Sequence, residues 1–135
     1  MHQIKIHKDA ENDLKEISTD HPIEAAKSRA ILQEAKTNPA VQDALLDHGF
    51  GDQKDEDFSV QRWQEFWRQR YNLWRLKVWA CDRYYPQYRV IYAYDPQYQT
   101  FYILGVLNRD WDYRTDHERT QRIIDIYEGL DIRIY

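Results

Sequence analysis

A single cysteine, Cys81, excludes an internal disulfide. The five histidines (His2, His7, His21, His48 and His117) show no ligand spacing, so neither a metal nor a cofactor is expected. No uncharged apolar run approaches the roughly 18 residues that a membrane span requires. The opening Met1-His2-Gln3-Ile4-Lys5-Ile6-His7-Lys8 lacks the apolar stretch of an export signal. A reduced, cytoplasmic setting without membrane partners is therefore the expectation. Internal repeats and low-complexity stretches are also missing, which excludes solenoids and tails.

What is present is a chain of 135 residues, 42% apolar, 31% charged and 15% aromatic. Such a length and composition fit one globular domain over residues 1–135, since two domains would leave neither with a core. The net charge of −4 argues against a protein that coats nucleic acid in bulk. The average hides a strong asymmetry, however. Residues 1–58 carry 7 basic and 13 acidic side chains, whereas residues 60–92 carry 7 basic (Arg62, Arg68, Arg70, Arg75, Lys77, Arg83, Arg89) and 2 acidic (Glu65, Asp82). The middle of the chain is basic and aromatic.

Ile4-Lys5-Ile6 alternates as a short strand, and Asp9 can cap a helix that places Ala10, Leu14 and Ile17 on one face. Pro22 suits the first turn of a second helix running to about Lys36, and Asn38-Pro39 can start a third with Val41, Ala44 and Leu45 inward. Gly49 to Asp57 reads as an exposed loop, and residues 60–70 as a short helix. From Leu73 the period becomes two: residues 73–79, 87–94 and 100–107 are strand-like, with Asp95-Pro96-Gln97 as a type I turn signal. Thr115-x-x-Glu118 forms a capping box before a last helix bearing Ile123, Ile124 and Tyr127. The tail Ile132 to Tyr135 has the pattern of a short edge strand. The expected fold is α+β, with an N-terminal strand and helical hairpin packed on one face of an antiparallel sheet in the order β-α-α-β-β-β-α.

Arg75 and Lys77 lie two apart on a strand, about 7 Å from one another on one face, with Trp74, Leu76 and Val78 on the other. On the next strand Arg89 shares a face with Ile91 and Ala93, opposite Tyr88, Val90, Tyr92 and Tyr94. Arg109 follows the third strand, within Asn108-Arg109-Asp110-Trp111-Asp112-Tyr113. If the strands pair in sequence, four cations converge on one face; taken singly, each is an ordinary solvated strand residue, with Arg109 paired to Asp110 or Asp112. Trp63, Phe66 and Trp67 interleave with Arg62, Arg68 and Arg70, a composition that also suits stacking on RNA bases. The i, i+4 spacing of Trp63 and Trp67 favours core or partner-facing positions instead.

Arg75-Leu76-Lys77-Val78, Tyr88-Arg89-Val90-Ile91-Tyr92 and Val106-Leu107-Asn108-Arg109 with Tyr113, in this order and spacing, resemble the strand motifs of the RelE/ParE superfamily of toxin–antitoxin toxins, in particular RelE-type mRNA interferases. The resemblance covers Leu73 to Tyr113 closely and residues 1–36 in pattern. It implies metal-independent endonucleolytic cleavage of mRNA, in many members on the ribosome, in which a ribose 2′-OH attacks the adjacent phosphate and the 5′-oxygen leaves. It also implies a cognate antitoxin as partner. Fixed guanidinium groups suit this chemistry, because negative charge builds on the phosphoryl oxygens.

Carried over by position, the resemblance makes Lys77, Arg89, Arg109 and Tyr113 the catalytic set. Arg89 and Arg109 would stabilise the phosphate. Lys77 ranks first as base, since a neighbouring cation favours a neutral amine, and Tyr113 second as acid or stacking group. Arg75, Arg83 and His117 would contact the RNA; Arg75 stands where a lysine is common and, as an arginine, acts only as a clamp. The chain is more acidic and longer than is usual for the family, with an extra segment of roughly residues 38–70, and has Asn108 where many relatives carry a histidine or a basic residue. Two other readings share the fold: a ParE-like toxin that inhibits DNA gyrase by binding, and a non-catalytic interaction module. The gyrase-binding reading gains nothing from converging cations.

Overall fold

The computed structural model describes residues 2–53, 55–79, 87–108 and 117–132. In chain order the elements are β1 (Gln3–Ile6), α1 (Lys8–Asp20), α2 (Pro22–Ala35), α3 (Pro39–Ala44), β2 (Phe58–Arg62), α4 (Gln64–Trp67), β3 (Leu73–Val78), β4 (Tyr88–Asp95), β5 (Thr100–Asn108) and α5 (Glu118–Gly129). The fold is α+β, and its five strands form one mixed sheet in the order β1-β5-β4-β3-β2. The three central and C-terminal strands form the expected antiparallel meander, but β1 runs parallel to β5, with Gln3 opposite Thr100 and Ile6 opposite Ile103. A parallel pair needs a long crossover, and the three N-terminal helices lie within it.

Local chemistry accounts for the helix ends. The His7 imidazole, not Asp9, caps α1 by accepting from the Asp9 N–H at 3.0 Å. Pro22 occupies the first turn of α2, and the Asn38 side chain caps α3 by accepting from the Ala40 N–H. His117 caps α5, its Nδ1 accepting from the Arg119 N–H at 3.1 Å. Thr115 lies outside the described residues.

Residues 58–62 correct the sequence-based expectation of a helix over 60–70. Phe58 and Val60 point inward and Ser59 and Gln61 lie on the opposite side, so the segment pairs antiparallel with β3, Ser59 opposite Lys77 and Gln61 opposite Arg75. Only Gln64–Trp67 turns helical. The outer edge of β2 is covered by the loop before it: Gly49 N–H donates to the Val60 carbonyl and Val60 N–H to the Phe50 carbonyl, both at 2.9 Å. Gly51 makes this approach possible. Its φ is +74°, and a Cβ there would fall 2.0 Å from the Phe58 carbonyl oxygen.

Both faces of the sheet carry a core, where helices on one face alone were expected. On one side α1, α2 and α3 cover Val60, Trp74, Leu76, Val90, Tyr92, Phe101 and Ile103. On the other, Ile123, Ile124 and Tyr127 of α5 join Trp63, Phe66, Leu73, Ile91, Ala93, Leu104 and Leu107. Trp63 is therefore a core residue, as its spacing favoured. Ile132 packs against this second cluster; the rest of the expected tail strand lies outside the described residues.

Candidate functional site

Strand alternation decides which side chains reach the second face. On β3, Trp74, Leu76 and Val78 enter the core under the N-terminal helices, so Leu73, Arg75 and Lys77 point the other way. On β4, Val90 and Tyr92 do the same, sending Arg89, Ile91 and Ala93 to the face of Leu73. The apolar members of this face, Leu73, Ile91 and Ala93, lie in the cluster with α5 and α4. The cations extend past that cluster towards the end of the sheet.

There, Arg75, Lys77 and Arg89 line one cavity of about 340 Å³ together with Ser59 and Gln61 of β2, Trp79 just after β3, and Asp52 of the loop outside β2. The register explains the grouping. Gln61 is opposite Arg75, Ser59 is opposite Lys77, and Arg89 precedes Val90, the partner of Leu76.

The polar groups are tied to one another. Arg75 Nη2 donates to Gln61 Oε1 at 3.3 Å, and Gln61 Nε2 donates to Asp52 Oδ1 at 3.4 Å. The Lys77 ammonium sits 4.2 Å from the centre of the Trp79 ring, within the range of a cation–π contact. Trp79 is anchored in turn, its Nε1–H donating to the Gly51 carbonyl at 2.7 Å. Arg89 donates from Nη1 to the Tyr88 carbonyl at 3.2 Å. Among the described residues three cations face one carboxylate here, so this lining is positive, and its N–H donors suit an oxyanion or phosphate.

Lys77 and Arg89 also border a narrow crevice that reaches Glu24 and Ser28 of α2 and Tyr88. Glu24 is buried, and its Oε1 has no hydrogen-bond partner among the described residues. Burial, followed by the Glu24 carboxylate, raises the Tyr88 phenol above its ordinary range.

Of the seven residues singled out from the sequence, the structure brings Arg75, Lys77 and Arg89 together. His117 lies elsewhere, lining a separate hollow with Glu118, Arg119 and Arg122 while it caps α5. Arg83, Arg109 and Tyr113 lie outside the described residues. Sequence reasoning missed Asp52, Ser59, Gln61 and Trp79. For two of them a signal was present: Phe58-Ser59-Val60-Gln61 alternates with period two, the mark of a strand facing the cations. Among the described residues no three His, Cys, Asp or Glu side chains gather as a metal site, and no helix is long and apolar enough to cross a membrane.

Comparison with known proteins returned no match to any family model, curated protein or solved structure.

Proposed function

We propose that the chain is a RelE/ParE-like toxin of a type II toxin–antitoxin system that cleaves mRNA without a metal and is held inactive by a cognate antitoxin. The observation that carries this reading is the convergence of Arg75, Lys77 and Arg89 in one cavity on one sheet face. Two of the three strand motifs that resemble those of RelE-type enzymes, on β3 and β4, supply these cations. In the reaction, the ribose 2′-oxygen forms a bond to the adjacent phosphorus while the bond to the 5′-oxygen breaks. The 2′-OH proton passes to a base, and the leaving oxygen takes one up. Arg75 and Arg89 would hold the phosphoryl oxygens where charge develops, and Lys77 would serve as base or as electrostatic support for one. An acidic, apolar antitoxin segment would be drawn to the same cations.

The decisive experiment is induced expression with separate readouts of translation and DNA supercoiling, alongside purified protein incubated with RNA in the presence of a chelator. Loss of translation, intact supercoiling and chelator-resistant cleavage are the expected results. Lost supercoiling with intact translation would replace this reading with the gyrase-binding one. Normal growth with both intact would leave an interaction module.

A further inference from the structure

Resting on that reading, we propose that Asp52 selects the base beside the scissile phosphate, and that the base it selects is guanine. The cavity runs across the sheet. Arg89 lies on β4 at its inner end, and Asp52 lies on the loop that follows the outer edge of β2. Strands are about 4.8 Å apart, so β4 and this loop are separated by roughly 14 Å of backbone. The volume of about 340 Å³ lies near the lower end of small-ligand sites, which run from roughly 300 to 1,000 Å³.

A carboxylate repels phosphate, so a nucleotide held by Arg75, Lys77 and Arg89 turns its base, not its phosphate, towards Asp52. An ionised carboxylate only accepts hydrogen bonds. Guanine alone presents two adjacent donors on one edge, N1–H and the exocyclic N2 amino group, which match two carboxylate oxygens. Adenine and cytosine place a ring-nitrogen acceptor beside their amino group, and uracil flanks its N–H with two carbonyls. Each of these sets an acceptor against the second oxygen. Single-stranded RNA can be read in this way because its Watson–Crick edges are open.

The carboxylate is held in place. Gln61 Nε2 donates to its Oδ1 at 3.4 Å, and the Gln61 carbonyl is itself fixed by Arg75. The preceding residue, Gly51, is locked between Phe58 and the Trp79 indole. Asp52 is nonetheless exposed and open to a ligand.

The test is calorimetric titration of the full chain with the 3′-monophosphates of guanosine, adenosine, cytidine and uridine. Guanosine 3′-monophosphate should bind at least about tenfold more tightly than the others, the scale of one good bidentate contact. Asp52→Asn keeps an oxygen for Gln61 but presents an amide to guanine. It should erase the preference by weakening guanosine 3′-monophosphate about tenfold while leaving the other three within about twofold. Equal affinities in the wild type, or a guanine preference that persists in Asp52→Asn, would overturn the assignment of Asp52 and leave the cationic site standing. Failure of all four to bind would overturn the cationic site itself, and the proposal with it. Cleavage mapping supplies a second reading, with cuts beside guanosine in the wild type and scattered cuts in Asp52→Asn.

Discussion

Asp13 of α1 and Arg122 of α5 meet at 2.6 Å beside the edge of β5. The same carboxylate oxygen accepts from the Val106 N–H at 2.9 Å. β1 pairs with β5 only as far as Ile103, so Asp13 supplies the acceptor that a longer β1 would have given. Gly105 lets the elements close. A Cβ at this position would fall 2.8 Å from Ile123 Cδ1 and 3.1 Å from Asp13 Oδ2. Arg119 adds a second cation 3.7 Å from the carboxylate. Asp13 is only 2% exposed, so removing it leaves the Val106 N–H without its acceptor and takes from Arg119 and Arg122 their buried partner, although Arg119 keeps Glu16 at 3.0 Å and Arg122 keeps Asp9 at 3.6 Å. Asp13→Ala should lower stability by about 1–3 kcal/mol, the cost of the buried Val106 N–H left without its acceptor, with a smaller loss for Asp13→Asn, which still accepts from Val106. The midpoint of urea unfolding measures both. A loss under about 1 kcal/mol for Asp13→Ala would show that the network is not a structural clasp.

Lys77, the expected base, and His117, an expected RNA contact, are placed apart by the structure. Lys77 lines the cationic cavity, whereas His117 uses Nδ1 to cap α5 beside another hollow. Lys77→Ala should slow RNA cleavage by about a hundredfold or more, the usual scale for a proton-transfer group. His117→Ala should leave cleavage within a few-fold and cost about 1 kcal/mol of stability through the lost cap. Single-turnover cleavage rates and thermal melts of the two variants decide the matter. Abolished cleavage in His117→Ala, with mere loss of RNA affinity in Lys77→Ala, would reverse the roles.

Phosphate contacts leave a signature in salt. If Arg75 and Arg89 together hold one phosphate of single-stranded RNA, that contact should contribute about −0.7 to the slope of the logarithm of the binding constant against the logarithm of salt concentration. Arg89→Ala should weaken binding of every sequence alike and make that slope shallower by about 0.7. Fluorescence anisotropy with a short labelled RNA at several salt concentrations measures this. A slope unchanged by Arg89→Ala would place the phosphates elsewhere.

The sequence reveals the meander and its faces because each strand there alternates over six residues or more. Trp74, Leu76, Arg75 and Lys77 fall on their expected sides for that reason alone. β2 escapes notice because its alternation lasts five residues and runs directly into the Trp63 and Phe66 pair, whose helical spacing belongs to the single turn of α4. That α5 faces the cationic side could not be read from its amphipathic stripe. The stripe says only that one face is buried, and the choice of sheet face rests on Gly105 and on Asp13, distant in sequence. Asp52 was hidden for a similar reason. A short run of polar residues reads as solvent-exposed loop, and nothing local shows that Gly49 and Phe50 bond it to the edge of β2.

Tyr92 provides the pH test. Its ring is fully buried, its O–H donates to the Leu45 carbonyl at 2.8 Å, and burial pushes its phenol well above the ordinary value near 10. Above pH 10 the unfolded chain releases this proton while the folded chain keeps it, so the folded state binds more protons and stability must fall as pH rises. The contribution is fully present below pH 10, where both states are protonated. Beyond that, each pH unit should cost about 1.4 kcal/mol for every tyrosine held protonated in the fold. Tyr127, raised mainly by burial, adds in the same direction. Tyr92→Phe should lose about 1 kcal/mol at neutral pH, from the carbonyl left without its donor, and should decline less steeply between pH 10 and 11. Urea unfolding across this range compares the two proteins. Parallel declines would mean that Tyr92 is not the group that resists ionisation, and that the alkaline limit of the fold lies with its other tyrosines.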